Sequence, residues 1–85
     1  MSTVARYQIF VTYKQGIFDP AGAAAERALQ QMEYSEVRSV RIGKYITLEL
    51  DGEPGAQQYA RVEAMCEKLL ANPVIEDFRI EDDPR

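Results

Sequence analysis

The chain has 85 residues and a mass of 9.7 kDa, with 46% hydrophobic and 28% charged residues, which suits one folded domain, residues 1–85, and leaves no room for a second. Lys+Arg 10 against Asp+Glu 14 gives a formal net charge of −4, the wrong sign for binding a phosphate backbone, so nucleic acid is excluded as the main partner. There is no histidine and only one cysteine, which removes the commonest general base and zinc ligand and any internal disulfide.

Residues 5–13 alternate Ala5, Tyr7, Ile9, Val11 and Tyr13 with Arg6, Gln8, Phe10 and Thr12, the period of a strand with one strongly apolar face. Phe10 on the polar face reads either as a stray exposed aromatic or as part of a subunit contact. Next, Asp19 is placed to cap a helix that Pro20 opens, and Ala24, Ala25, Ala28, Leu29 and Met32 recur at helical spacing through residues 20–32. Their small inner face predicts close approach of this helix to the sheet.

Glu36 to Ile42 reads as a second strand, Gly43-Lys44 as a tight connection with Gly43 free to take positive φ, and Tyr45 to Leu50 as a third strand. The pair predicts an antiparallel hairpin with Ile46, Leu48 and Leu50 inward. The turn residues Asp51 to Gly55 lead into a helix over 55–71, packed through Tyr59, Val62, Cys66, Leu69 and Leu70. Asn72 suits a left-handed helix stop, Gly22 the first helix's opening turn, and Pro73 prevents continuation. Val74 to Ile80 is the last strand, with Val74, Phe78 and Ile80 on one face, and residues 81–85 are a charged tail expected to fray.

The order β-α-β-β-α-β predicts an α+β two-layer sandwich, an antiparallel four-stranded sheet with both helices on one face. The other face then lacks a cover, which predicts a homo-oligomer, dimer or tetramer, formed through it. Met1 to Arg6 has no basic segment followed by an apolar run, and no stretch reaches ~18 uninterrupted apolar residues. A cytoplasmic chain without a membrane partner is expected.

Little in the sequence carries chemistry. Gly43-Lys44 is not a phosphate loop, because that motif needs glycine where Arg38 stands and Ser or Thr where Tyr45 stands. Arg38, Arg41 and Lys44 form a local basic group that fits an acidic partner or a phosphate, although a solvated surface or an oligomer contact is the favoured reading. Glu76-Asp77 and Glu81-Asp82-Asp83 lack the spacing of a cation loop. Cys66 lies between Glu63 and Glu67, an acidic setting that disfavours a thiolate, and it reads as a buried small hydrophobe. Asp19-Pro20-x-Gly22 reads as a cap rather than an anion site, since Asp19 already places negative charge at that helix end. Asp19, Pro20, Gly22, Gly43, Asn72 and Pro73 are therefore assigned to turns and caps, with no catalytic, cofactor or metal-ligating residue.

Three blocks together resemble the PurS family, the small subunit of phosphoribosylformylglycinamidine synthase: residues 14–22 (Lys-Gln-Gly-Ile-Phe-Asp-Pro-Ala-Gly), residues 40–44 (Val-Arg-Ile-Gly-Lys) and residues 65–78, from Met65-Cys66-Glu67-Lys68 to Glu76-Asp77-Phe78. The sequence departs from the family pattern at Ala21, where glutamine is common, and at Met32-Glu33, where Leu-Gly usually ends the first helix. The resemblance implies a non-catalytic subunit of purine biosynthesis that bridges a glutaminase subunit, PurQ, and a large synthetase subunit, PurL, and assists ammonia transfer. ATP and Mg belong, on that implication, to the large subunit. The alternatives from other classes are a stand-alone small-molecule-binding regulatory α/β domain and a small enzyme using carboxylates alone.

Overall fold

The computed structural model describes residues 3–82. Its central strand is β1, Val4–Tyr13, flanked by β2, Lys44–Asp51, and β3, Glu76–Asp82, in the order β2-β1-β3. Both pairings are antiparallel, and the register sets Tyr7 opposite Leu48, Ile9 opposite Ile46 and Ile80, and Val11 opposite Phe78. Because side chains alternate along a strand, this register gathers Tyr7, Ile9, Val11, Ile46, Leu48, Leu50, Phe78 and Ile80 on one face.

That inner face is covered by α2, Ala56–Met65, and by the π-helical turn Cys66–Leu70 that continues it. Ala5, Tyr7, Ile9, Val11, Val62, Cys66 and Ala71 form the buried core, with Ile46, Leu48, Leu50, Leu70, Phe78 and Ile80 packed partly buried against it. Ala71 N–H donates to the Cys66 carbonyl at 2.9 Å, the i→i+5 bond that widens the turn. The widening shifts the predicted stripe by one residue: Leu70 reaches the core, whereas Leu69 is 82% exposed.

The α+β class and the antiparallel sheet are as the sequence predicts, and the differences have local causes. Residues 36–42 form no strand, so the described sheet has three strands and the predicted hairpin does not exist. The polar groups of this segment are engaged elsewhere: the Val37 carbonyl accepts from Gln30 Nε2 at 2.9 Å and Ile42 N–H donates to Asp19 Oδ2 at 2.7 Å. The segment therefore runs back along α1, Pro20–Gln31, instead of joining a ladder.

Helix α1 contributes no residue to the core cluster, and Gly22 is its one buried residue. Met32, expected to face the sheet, is 63% exposed. Residues 17–43 thus make an arm beside the sandwich, and the Cα radius of gyration is 16.7 Å, against about 12 Å for a compact domain of this length.

The termini of the elements also differ in detail. Gly43 does not have positive φ; it is required because a Cβ there would lie closer than 3.0 Å to the Val11 carbonyl. Asn72 is not left-handed either. Its Oδ1 accepts from Val74 N–H at 3.1 Å and its carbonyl from Glu76 N–H at 2.7 Å, making a turn into β3 that leaves Val74 outside the strand. Glu81 and Asp82, expected to fray, belong to β3, while Asp83, Pro84 and Arg85 lie outside the described residues.

On the outer face Phe10 is neither stray nor uncovered. Its ring stacks on Tyr45 with centroids 5.2 Å apart, and Arg79 lies over it with Cζ 4.6 Å from the ring centroid. The three residues share one level of the register. Around them run the ion pairs Arg6–Glu49 at 3.1 Å, Lys14–Asp77 at 3.2 Å and Arg79–Glu81 at 2.7 Å.

Candidate partner-contact site

The β1–α1 connection and the loop that enters β2 meet around an open cleft of about 330 Å³ lined by Tyr13, Asp19, Ile42, Lys44 and Glu76, among others. Asp19 organises it. Its side chain accepts from Gly22 N–H at 2.9 Å as the cap of α1, and from Ile42 N–H at 2.7 Å across the cleft. These two amide donors, followed by the Arg41 charge, hold its carboxyl below the usual carboxylate range. Pro20 is the first helical residue, where a missing N–H costs nothing. Gly22 is buried because a Cβ there would meet the Val40 carbonyl.

The three basic residues are not equivalent. Arg41 turns back into the fold, its Nη2 donating to the carbonyls of Tyr13 and Lys14. Lys44 Nζ donates to the Leu70 carbonyl at 3.1 Å and lies 3.9 Å from Glu76 Oε1, so it ties the start of β2 to the end of the π-helical turn. Arg38 is exposed on the arm. Two of the three candidate contact residues therefore shape the cleft, and one is directed to solvent.

Glu76, which the sequence shows only as a carboxylate without the spacing of a cation loop, is a member of this group. Its Oε1 accepts from Asn72 N–H at 2.7 Å while facing Lys44. A carboxylate so placed serves the turn between helix and strand. Nothing in the local sequence marks it, because its partners come from a strand more than thirty positions earlier and a turn four positions earlier.

A second open cleft, of about 510 Å³, lies between the turn after β2 and the start of α2, lined by Asp51, Glu53, Gln58 and Arg61, among others. Gln58 Oε1 accepts from the Tyr7 hydroxyl at 2.7 Å. Burial, with Asp82 nearby, raises the Tyr7 phenol above its ordinary value, so it acts here as a donor. Cys66 is buried, as predicted, and burial first, then Glu63 and Glu67, raise its thiol pKa. Such a thiol is a poor nucleophile. Among the described residues no group of three or more His, Cys, Asp or Glu is placed to hold a metal ion, and no helix is long and apolar enough to cross a membrane.

The arrangement binds its own loops together. Comparison with known proteins supplies what this geometry does not. The family model for PurS, phosphoribosylformylglycinamidine (FGAM) synthase, matches residues 6–83. The chain belongs to the PurS family. It is similar to the phosphoribosylformylglycinamidine synthase subunit PurS of Bacillus subtilis, 45% identical over 76 residues that cover 89% of each chain. The solved structure of B. subtilis PurS superposes with a TM-score of 0.83 at 43% identity, over 93% of this chain and 98% of that one. A chain in the structure of PurLQS from Thermotoga maritima superposes with a TM-score of 0.85 at 33% identity, over 95% and 99% of the two chains. These PurS structures bear out the predicted fold class, with the strand count corrected above.

Proposed function

We propose that this chain is the small, non-catalytic subunit of a phosphoribosylformylglycinamidine synthase in purine biosynthesis. The observation that carries the reading is its end-to-end similarity to a chain of the T. maritima PurLQS structure. In this role it bridges the glutaminase subunit, PurQ, and the large synthetase subunit, PurL, and helps ammonia released by one reach the other. ATP and Mg are bound and used by the large subunit, the complex is cytoplasmic, and the small subunit itself is a homo-oligomer.

The site chemistry fits a subunit that holds others in place. The amide hydrolysis and phosphoryl transfer of such a reaction need an activated nucleophile, a base and a phosphate cradle, and Cys66 is a buried thiol whose pKa is raised. Arg38, exposed on the arm, is assigned to contact an acidic surface of a partner subunit, and Arg41 and Lys44 to hold the loop that carries it.

The test is reconstitution of glutamine-dependent synthase activity from purified glutaminase and synthetase subunits with and without this chain. Glutamine-dependent turnover requires the chain, whereas turnover with added ammonia does not. Equal glutamine-dependent rates in its absence would overturn the bridging role. Arg38→Glu is expected to weaken assembly of the complex while leaving the Tm of the isolated chain unchanged, since a surface charge away from packed groups has little effect on folding.

A further inference from the structure

We infer that the turn Cys66–Leu70 is a two-register device, in which the Lys44 ammonium decides whether Leu69 or Leu70 enters the core and so links the base of the arm to the end of α2. Along α2, Val62 and Cys66 are both fully buried and mark the direction of the core. An α-helix advances about 100° per residue, so in an unbroken α-helix Leu69 would lie about 40° to one side of the midpoint between Val62 and Cys66, and Leu70 about 60° to the other. Leu69 would then be the inward leucine. The observed turn is wider, closed by Ala71 N–H on the Cys66 carbonyl at 2.9 Å, and each residue in it advances less. That carries Leu70 to the core and leaves Leu69 82% exposed.

The core is nearly indifferent between the two registers. The residues exchanged are both leucine, so either register buries the same side chain, and volume-conserving exchanges are the kind that packed cores tolerate best. A π-helical turn is rare and seldom extends beyond one turn, so the wide register needs a support from outside the helix. Lys44 supplies it. From the first position of β2, its Nζ donates to the Leu70 carbonyl at 3.1 Å and faces Glu76 Oε1 at 3.9 Å. Glu76 Oε1 in turn accepts from Asn72 N–H at 2.7 Å, just past the turn. In the α register the Leu70 carbonyl turns round the helix with its side chain and away from Lys44. The ammonium therefore binds one register only, which is the differential contact that a switch requires.

The link to the arm runs through the chain itself. Ile42, two residues before Lys44, gives its N–H to Asp19 at 2.7 Å, and Gly43 between them lies against the Val11 carbonyl. The same contacts that fix the base of the arm thus fix the position of Lys44. A displacement that lifts this loop withdraws the ammonium from Leu70, and the leucine shown at the surface at the end of α2 changes with it.

The test reads the two positions separately in the full chain. Leu69→Cys and Leu70→Cys, each alone, are labelled with a water-soluble maleimide well below the denaturation temperature, with the natural chain, whose Cys66 is fully buried, as the blank. The thiol at position 69 is expected to label faster than the thiol at position 70. Lys44→Met keeps the apolar stem of the side chain and removes the donor. It is expected to lower the ratio of the two rates by about tenfold, because one charge-assisted hydrogen bond is enough to shift a two-state equilibrium by that much. A ratio unchanged by Lys44→Met overturns the device. Asp19→Ala frees the loop without touching Lys44 and is expected to lower the ratio in the same direction; an unchanged ratio there overturns the link to the arm. Where a cysteine variant fails to fold, NMR of the otherwise natural Lys44→Met chain decides. Contacts between the Leu69 methyls and Val62 appear if the registers exchange, and retention of the Leu70 contacts alone overturns the proposal.

Discussion

The carboxylate of Asp19 joins two backbone amides that are twenty positions apart, accepting from Gly22 N–H at 2.9 Å through one oxygen and from Ile42 N–H at 2.7 Å through the other. The first bond satisfies an otherwise free donor in the opening turn of α1. The second pins the returning loop just before it enters β2. One side chain therefore sets both where the helix begins and the direction in which the arm leaves the sandwich, which makes it the residue on which the geometry of the cleft depends.

Asp19→Ala removes both acceptors and is expected to lower the Tm of the isolated protein by several degrees, measured by thermal denaturation at pH 7. The effect has a pH signature. Because the folded-state carboxyl is held below its ordinary value, its stabilising contribution is complete above about pH 4 and is lost as the pH falls through the folded-state value. The Tm gap between the natural chain and Asp19→Ala should narrow on acidification below pH 4. A gap independent of pH from 6 to 2.5 would show that the ionised carboxylate is not what caps the helix.

Two glycines on either side of that carboxylate are required by space, not by positive φ. A Cβ at Gly22 would press on the Val40 carbonyl and on Asp19 itself, and one at Gly43 on the Val11 carbonyl. Backbone neighbours cannot move aside as a flexible side chain can, so Gly22→Ala and Gly43→Ala are each expected to destabilise by about 1–3 kcal/mol. Gly16 has φ +89 with nothing within 4 Å of a Cβ; Gly16→Ala introduces no clash and only the left-handed strain of about 1–2 kcal/mol. Urea denaturation of the three variants measures these costs, and the two crowded sites should also disturb assembly.

What the sequence shows and what it hides divide along the same line. Strand β1 was legible from its alternation, and Asp19-Pro20 from the chemistry of a helix start, because both are local. Residues 36–42 carry Val37, Val40 and Ile42 among polar residues, which invites a strand, yet the Ile42 amide goes to Asp19 and the Val37 carbonyl to Gln30, and no local pattern reports such distant partners. The exposure of Met32 and Leu69 was hidden for related reasons: helical spacing identifies a stripe but not whether this chain supplies its partner, and a single π turn rotates the stripe after Cys66. At the site, the basic residues were legible as a group, while the inward use of Arg41 and Lys44 depends on carbonyls of Tyr13 and Leu70 that only the fold brings near.

Tyr7 crosses the two layers. Its ring is 1% exposed in the centre of the sheet and its hydroxyl donates to Gln58 on α2 at 2.7 Å. Tyr7→Phe keeps the packing and removes the donor, with an expected loss of about 0.5–1.5 kcal/mol. Gln58→Ala in the same background should then cost only what its remaining exposed bond, from Nε2 to the Asp51 carbonyl at 3.3 Å, contributes, and a double-mutant cycle on the four proteins measures the coupling. Fully additive losses would mean that the bond does not hold α2 to the sheet.

The last residue of the helix stop is a glutamate in a glycine's conformation. Glu33 has φ 74, the left-handed conformation that glycine adopts most readily. Tyr34 N–H donates to the Leu29 carbonyl at 3.0 Å and Glu33 N–H to the Gln30 carbonyl at 3.1 Å, the paired bonds that close a helix through a left-handed residue. The bonds are kept at a cost, because the left-handed region is disfavoured for an L-residue with a Cβ by about 1–2 kcal/mol. Glu33→Gly relieves that cost and loses part of the gain to the greater freedom of glycine in the unfolded chain. The expected result is a net stabilisation of up to about 1 kcal/mol, read as a rise in urea midpoint without a change in slope. A fall in the midpoint would mean that the Glu33 side chain itself supports the arm, and that its strain is offset by a contact glycine cannot make.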